Sequence, residues 1–264
     1  MAAKSTKNAA KKPKNEIFDK NLSNSAIKDD GSEQAQIGIT TYMERSLHAS
    51  LKMHVCPKPE CHEMKVGRYV ADVCDGGVIF EIQTGNLGPL RKKIQYYLEN
   101  TDFEIVVVKP VAKTRRILWL DPASGEITNK KARPSPHREN IFSGISDIWY
   151  LRELFGNERL SFCFVIMEID EIRALDGYGK SKKKRATSLD RLAGEIFEEK
   201  YIHTKRDIEE LVDGILPDEP FTREDLATAL RLGGLKLWSA QKLLCELDIL
   251  TCEKVKNRLV FEKC

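Results

Sequence analysis

The stretch ADVCDGGVIFEIQTG, residues 71–85, constrains the fold most because it places a Gly-Gly pair between two apolar runs. Two consecutive glycines favour a two-residue β-hairpin turn, since both positions of such a turn need positive φ. A two-residue turn at Gly76-Gly77 sets the strand register so that Asp72 lies opposite Glu81. The sequence therefore predicts a hairpin with two acidic side chains facing each other.

The predicted register brings an amide to the same face as the two carboxylates. Gln83 follows Glu81 by two residues, so both side chains point to the face that carries Asp72. Opposed Cβ atoms lie about 5 Å apart, where two carboxylates repel each other unless a cation lies between them. A three-residue loop would instead pair Asp72 with Phe80. A solvent-facing hairpin would leave all three polar residues in water.

We favour a metal-binding site over a solvent-exposed hairpin face, because burying a carboxylate is costly unless it is paired or binds a metal. An all-oxygen set of this kind suits Mg²⁺ or Mn²⁺. Such an ion activates water and neutralises charge that develops on a phosphoryl group. The helix predicted to follow carries Arg91, Lys92 and Lys93, which we expect near a phosphate.

The order of predicted elements indicates an α/β fold with a mixed sheet and a crossover helix. A capping-box pattern at residues 41–44 predicts a helix through about Lys52, and further helices are expected over residues 89–100 and 139–156. The strand-like runs are EMKVGRYVADVC, VIFEIQT, FEIVVVKPV, RRILWLD and LSFCFVIMEID. We assign residues 1–36 to a disordered basic tail, 37–170 to this core domain and 171–204 to a basic linker.

Residues 205–264 differ in character, with three predicted helices followed by two short strands. This is the element order of a winged helix-turn-helix domain. Its second helix, of the recognition type, would expose Lys236, Ser239, Gln241 and Lys242 for contacts with phosphate or base edges. The wing would add Lys254, Lys256 and Arg258. A domain of this kind that binds only protein is the alternative.

The Asp, short turn, Glu-x-Gln, crossover helix and apolar strand together resemble the PD-(D/E)XK, or restriction-endonuclease-like, nuclease superfamily. The resemblance implies that Asp72 and Glu81 are catalytic metal ligands and that Glu44 is an accessory acid. Gln83 stands where the superfamily usually has Lys, and Ala71 where it usually has Pro. The chain is also similar to a family of uncharacterised bacterial proteins with the pattern E-x-x-LH-x-x-LK, then AD, then EIQT.

Glu44, His48 and Lys52 recur every four residues and would share one helix face. We therefore place His48 with the substrate-binding residues, while a packed or solvated histidine is the alternative. Glu44 also has a purely local interpretation, because the third position of a capping box favours Glu.

A second group, formed by His54, Cys56, Cys61 and His62, invites a zinc interpretation. Structural zinc sites usually join two ligand pairs across a longer loop, whereas this group is compact and contains two prolines, so we disfavour it. Seven cysteines without a repeating spacing favour reduced thiols in a cytoplasmic protein. No apolar run approaches the length of a membrane span, and no membrane partner is expected.

The expected function is that of a metal-dependent nuclease-like protein that hydrolyses phosphodiester bonds in nucleic acid, with DNA favoured and Mg²⁺ or Mn²⁺ as cofactor. The alternative is a non-catalytic DNA-binding or regulatory protein that keeps the core as a scaffold. A homodimer is compatible with both. A carbohydrate or peptide hydrolase is disfavoured because no second acid-base partner is evident.

Overall fold

A computed structural model describes residues 46–129, 132–136, 138–174, 176, 186–256 and 258–264 of the chain. All of them belong to the compact unit formed by residues 37–264. The predicted tail over residues 1–36 lies outside the described residues, and so does the basic run KSKKKR at 180–185.

The described residues form six α-helices and nine strands. The helices are α1 (Leu47–Val55), α2 (Arg91–Asn100), α3 (Ile141–Ile145), α4 (Lys205–Asp213), α5 (Arg223–Leu230) and α6 (Gly234–Glu246). The strands are β1 (His62–Val66), β2 (Tyr69–Asp75), β3 (Val78–Ile82), β4 (Glu104–Leu120), β5 (Leu160–Ala174), β6 (Thr187–Ile202), β7 (Phe221–Thr222), β8 (Leu250–Val255) and β9 (Arg258–Lys263). Short 3₁₀ helices occupy Pro59–Cys61, Gly88–Leu90 and Ser146–Leu151.

Strands β1 to β6 form one mixed sheet in sequence order. The pairs β1–β2, β2–β3 and β5–β6 are antiparallel, whereas β3–β4 and β4–β5 are parallel. Helix α2 makes the crossover between the parallel strands β3 and β4, as such a connection requires. The mixed α/β architecture predicted from the sequence is therefore confirmed.

Apolar side chains cover both faces of this sheet, because neighbouring residues of β4 and β5 point to opposite sides. On one face, Ile105 and Phe162 join a core cluster that contains Ile94 and Tyr97 of α2. The apolar residues of the C-terminal helices belong to the same cluster. On the other face, Val106 and Cys163 pack in a cluster with α1.

The hairpin at Gly76-Gly77 has the predicted two-residue turn, with φ values of 59° and 88° at the two glycines. Strands β2 and β3 pair Val73 with Phe80, and Asp75 with Val78. This is the register expected from the sequence. It places β3 between β2 and β4 in the interior of the sheet.

Two predictions of strand extent were wrong. The run EMKVGRYVADVC forms two strands, β1 and β2, because the chain turns at Gly67, whose φ is 59°. The runs FEIVVVKPV and RRILWLD form the single strand β4 despite Pro110. Strand β3 ends at Ile82, opposite Val108, so β4 has no β3 partner at Pro110, and the missing proline N–H disrupts no ladder there.

The prediction of a linker over residues 171–204 does not hold for residues 187–202, which form β6. This strand pairs along β5 from Phe162 to Ala174. It lies at the edge of the sheet and carries many charged residues, which is common in edge strands. Its weak apolar alternation explains why the sequence did not predict a strand.

Helix α1 begins later than expected, at Leu47, and it continues to Val55. Ser46 is its N-cap and accepts a hydrogen bond from the N–H of Ala49 at 3.2 Å. Ser46 also forms an antiparallel bridge with Leu192 of β6. A continuous helix from the predicted start at Thr41 through Lys52 is therefore wrong, because Ser46 is non-helical; Thr41 itself lies outside the described residues.

The C-terminal elements appear as predicted, with β7 as an addition. Helices α4, α5 and α6 are followed by the β8–β9 hairpin, and β7 pairs with β9 in a three-stranded antiparallel sheet. No helix in the described part of the chain is long and apolar enough to cross a membrane.

Asp147, in the 3₁₀ helix Ser146–Leu151, connects the large sheet to the C-terminal helices. Its carboxylate lies 2.9 Å from Nζ of Lys109 in β4 and 2.7 Å from Nζ of Lys236 in α6. Lys109 also donates a hydrogen bond to the carbonyl of Gly85 at 2.6 Å. Asp147 and Lys109 are both buried, so this charged group joins three parts of the structure where water is excluded.

We expect Gly77→Ala to lower the free energy of unfolding by about 1–2 kcal/mol, the usual cost of a left-handed backbone at a residue with a Cβ. An added Cβ at Gly77 would meet no atom within 4 Å, so the cost is conformational. Urea unfolding measures it. The matched control is Gly214→Ala, where a Cβ also meets no atom within 4 Å and φ is −77°. Equal losses in the two variants would contradict the turn.

We expect Asp147→Ala to destabilise the protein by about 3–5 kcal/mol, because it leaves Lys109 buried without its carboxylate. The control is Asp218→Ala. Asp218 lies 2.6 Å from Lys263, but its side chain is 94% exposed, and such a surface pair contributes little. Urea unfolding of both variants at neutral pH shows whether burial of the ion pair, rather than its short distance, determines the loss of stability. Similar small effects in both variants would contradict the connecting role of Asp147.

Candidate active site

The predicted acidic pair lies where strands β2 and β3 part. The regular ladder ends at Val73 and Phe80, one residue short of Asp72 and Glu81, whose charges still lie close enough to interact. Oδ2 of Asp72 accepts the backbone N–H of Ile82 at 2.7 Å. This bond anchors the Asp72 carboxylate at the C-terminal end of β3.

His48 of α1 lies beside Asp72, with Nε2 at 3.3 Å from Oδ2. Burial by itself would raise the pKa of Asp72, but the bonds from His48 and the Ile82 N–H outweigh it and lower the pKa below its usual value. Asp72 is therefore held as a carboxylate. The structure thus places His48 beside Asp72, and its role in binding a substrate stays a prediction.

Glu81 is completely buried. Its Oε2 is 2.5 Å from Nζ of Lys93 in α2. Its Oε1 is also buried, and no hydrogen-bond partner for it occurs among the described residues. Burial raises the pKa of Glu81 to about 7; Lys93 and the nearby Tyr97 hydroxyl offset this only in part, while the charge of Asp72 adds to it. The interior therefore holds a carboxylate with one unpaired oxygen.

The three cations expected near a phosphate have different environments. Arg91 donates hydrogen bonds to the carbonyl of Tyr150 at 3.2 and 3.1 Å and pairs with Glu153 at 3.3 Å. Lys92 is exposed, and Lys93 pairs with Glu81. The structure brings Lys93 to the acidic pair, whereas Arg91 contacts the segment near residue 150.

Gln83 follows the last residue of β3 and is half-buried. Its N–H donates a hydrogen bond to the carbonyl of Val108 at 2.9 Å, which places it at the end of the strand that carries Glu81. Glu44, the expected accessory acid, lies outside the described residues. Its position relative to Asp72 and Glu81 therefore stays a prediction.

Sequence reasoning missed two contacts of Glu81. Lys93 was assigned to phosphate rather than to Glu81, and Tyr97 was assigned to the apolar core. The Tyr97 hydroxyl is buried and has no hydrogen-bond partner in the part of the chain that the structure describes. Burial and the nearby Glu81 raise its pKa. The signal was the i, i+4 spacing of Lys93 and Tyr97, which puts both on one face of α2.

The donor set of this site fits a hard divalent cation. The unpaired Oε1 of Glu81 and the carboxylate of Asp72 are the oxygen ligands that Mg²⁺ and Mn²⁺ prefer. A bound cation would favour the ionised form of Glu81, which burial alone disfavours. Asp72, Glu81 and the neighbouring Gln83 amide are the residues that would hold it.

The predicted exposed face of α6 is partly wrong. Ser239 and Gln241 are buried, and Lys236 is tied to Asp147 and, at 2.9 Å, to the carbonyl of Ser143. Trp238 contacts Trp149 edge to face, with ring centroids 5.7 Å apart. This helix packs on the 3₁₀ helix Ser146–Leu151, so Gln241 is buried, and the half-exposed Lys236 directs its ammonium to Asp147. Lys242 is exposed as predicted.

A cavity of about 470 Å³ lies elsewhere in the molecule. Four of its lining residues are cations, namely Lys113, Arg138, Lys200 and Arg231. Asp72 and Glu81 are not among its lining residues. The cavity is therefore distinct from the acidic pair, and we base the site on the carboxylates.

Comparisons with known proteins assign a family. Residues 45–203 match the model of a family described as "Domain of unknown function (DUF8091)". An "Uncharacterized protein" of Treponema pallidum (strain Nichols) is 29% identical over 190 residues, which cover 72% of this chain and 73% of the relative. No solved structure matches the chain. Asp72, Glu81, Gln83 and Lys93 all lie within the matched range.

The raised pKa of Glu81 predicts a penalty to the free energy of unfolding that depends on pH, because the buried carboxylate ionises with difficulty. The penalty is absent below the unfolded pKa near 4.5, grows as the pH rises towards about 7, and is complete above that value. With metal removed by a chelator, Glu81→Gln should therefore gain on the wild type by about 3 kcal/mol between pH 4.5 and 8. Urea unfolding across that range measures this gain.

Glu63→Gln is the control for this experiment. Glu63 is exposed and pairs with Lys52 at 2.8 Å, and this partner lowers its pKa. It should show no comparable rise in relative stability from pH 4.5 to 8. A flat difference between Glu81→Gln and the wild type would show that Glu81 does not titrate near neutral pH.

Proposed function

The chain belongs to the DUF8091 family. From the acidic site within the matched range, we propose that it is a metal-dependent nuclease-like protein that hydrolyses phosphodiester bonds in nucleic acid. DNA is the favoured substrate. Asp72 and Glu81 hold the metal in this proposal, and the surroundings of Glu81 carry the argument.

The unpaired Oε1 of Glu81 is the observation that supports a metal best. A carboxylate buried only for stability would be expected to have both oxygens bonded, because an unbonded buried polar atom is costly. Lys93 pairs with Oε2, and the Tyr97 hydroxyl is the other polar group near the carboxylate, while Oε1 makes no hydrogen bond of normal geometry among the described residues. Asp72 supplies a second carboxylate from the adjacent strand, held by Ile82 and His48.

Mg²⁺ or Mn²⁺ bound by Asp72 and Glu81 would supply Lewis acidity toward the scissile phosphate. The chain's own groups do the remaining work. Lys93 stands beside the acidic pair, where its ammonium can orient the attacking water, a task that the restriction-endonuclease-like superfamily usually gives to a Lys at the position of Gln83. His48 holds Asp72 in place, and Gln83 positions the water or the metal. Glu44 is retained as an accessory acid.

The restriction-endonuclease-like core belongs to the same proposal. It is supported by the order of α1, the antiparallel strands β1 to β3, the crossover helix α2 and the parallel strand β4. In this arrangement the acidic pair lies at the end of β3 nearest the start of the crossover, where α2 can present Lys93.

A winged-helix role for residues 205–264 is also proposed. It is supported by three helices followed by the β8–β9 hairpin. Lys254, Lys256 and Arg258 are exposed on this hairpin, and Lys242 is exposed on α6. These cations suit contacts with a phosphate backbone. Lys236 is no longer among them, because it is tied to Asp147.

The test is cleavage of single-stranded, duplex and branched DNA, with RNA in parallel, in Mg²⁺ or Mn²⁺. We expect Asp72→Ala and Glu81→Ala to lower the rate by about 100-fold or more, since each removes a proposed metal ligand. Lys93→Met should lower kcat more than it raises KM, because its role lies in the chemical step.

The control is Glu104→Gln, an exposed acid at the start of β4, which should keep wild-type activity. Cleavage that survives both Asp72→Ala and Glu81→Ala would eliminate this site. Nucleic-acid binding without cleavage in either metal would support the alternative, a non-catalytic DNA-binding or regulatory protein.

A further inference from the structure

Two thiols and a carboxylate converge at the end of the Gly76-Gly77 hairpin. One ligand atom each from Cys56, Cys61 and Asp75 lies within 4.8 Å of the other two. Cys56 and Cys61 are buried and Asp75 is half-buried. The Sγ of Cys56 is 3.8 Å from Oδ2 of Asp75. The three groups form a compact, largely buried donor set.

Three different elements bring these residues together. Cys56 is the C-cap of α1, with extended backbone angles of −142° and 112°. Cys61 ends the 3₁₀ helix Pro59–Cys61, and Asp75 is the last residue of β2. The sequence CPKPEC between the two cysteines makes a short, proline-stiffened loop. The cluster is thus built by tertiary contacts as well as by the loop.

We propose that Cys56, Cys61 and Asp75 bind a zinc ion. Thiolate and carboxylate are both established zinc ligands, and zinc takes them in tetrahedral geometry. With Zn–S bonds of about 2.3 Å, two thiolates on one tetrahedral ion lie about 3.8 Å apart. The side chains need to close only slightly from their present positions. A water molecule completes the four ligands.

The histidines flanking this cluster have other partners, which corrects the group considered from sequence. Nε2 of His54 lies 2.5 Å from Glu199 of β6. Nε2 of His62 lies 2.7 Å from the backbone carbonyl of Cys56. His62 therefore steadies the backbone that carries one ligand, as outer-sphere residues of metal sites do. Asp75, absent from the sequence-based group, supplies the third ligand instead.

The proposed zinc site is separate from the magnesium site and does not depend on the proposed function. Asp75 is three residues beyond Asp72 on β2, and Cys56 is the residue directly after α1, the helix that carries His48. Zinc would fasten the end of α1 to the hairpin. Its role is structural, since it joins two elements that each carry a residue of the acidic site.

The experiment uses the full chain with Cys245, Cys252 and Cys264 replaced by Ser. These three thiols lie close to one another and would otherwise contribute a second binding set. The reduced protein is freed of metal with a chelator and titrated with Co²⁺ and then Zn²⁺. With excess Mg²⁺ present to occupy the acidic site, we expect one Co²⁺ per chain that gives a thiolate-to-cobalt charge-transfer band and tetrahedral visible bands. Zn²⁺ should displace it and raise the thermal midpoint.

Cys56→Ser and Cys61→Ser should each remove most of the charge-transfer band and the thermal shift. Asp75→Asn should weaken binding by more than about tenfold while the band remains. Cys74→Ser and His54→Ala are matched controls. Cys74 is the half-buried thiol next to Asp75, and His54 contacts Glu199 instead. Both should bind cobalt like the parent protein, and so should Glu81→Gln, which alters only the acidic site.

Circular dichroism on each metal-free variant separates loss of a ligand from loss of the fold. Folded parent protein that gives no thiolate-to-cobalt band would overturn the proposal. Bands that persist unchanged in both Cys56→Ser and Cys61→Ser would overturn it equally. A parent that binds neither metal but forms a Cys56–Cys61 disulfide with oxidised glutathione would identify a redox pair instead.

Discussion

The two-residue turn at Gly76-Gly77 is the constraint on which the proposed acidic site depends. Its positive φ values allow a tight connection that holds β2 and β3 in one register. A slip of one residue would move every side chain of a strand to the other face. Asp72 would then leave Glu81. Asp75 keeps its place near Cys61 through the separate pairing of β2 with β1, so the turn sets the geometry of the acidic pair and the β1–β2 pairing that of the thiol cluster.

Glu81 is the point where stability and proposed function oppose each other. A buried carboxylate with one free oxygen costs the fold free energy as the pH rises through neutrality. Lys93 relieves that cost only in part. A divalent cation between Glu81 and Asp72 would relieve it further, because it favours the ionised form. The unfavourable free energy is therefore localised at Glu81, where a bound cation can reduce it. Such perturbed groups are frequent at functional sites.

Much of the fold followed from local sequence patterns. The hairpin register, α2 with its buried Ile94 and Tyr97, and the C-terminal element order were all predicted. The failures have physical causes. Pro110 suggested a break, but β4 has no β3 neighbour there, so the strand continues. Residues 187–202 looked like a linker, because an edge strand with charges on it shows little apolar periodicity. Both depended on neighbours that are distant in sequence.

The sequence by itself determined the turn and the strand register, and therefore that Asp72 and Glu81 lie near each other just beyond the last ladder pair, because these depend on residues within one hairpin. Only the tertiary structure decided which cations and thiols join them. Lys93 reaches Glu81 through the crossover helix, Lys236 turns to Asp147 instead of solvent, and Asp75 joins Cys56 and Cys61. These contacts link separate elements, and periodicity along the chain carries no information about how such elements pack against each other.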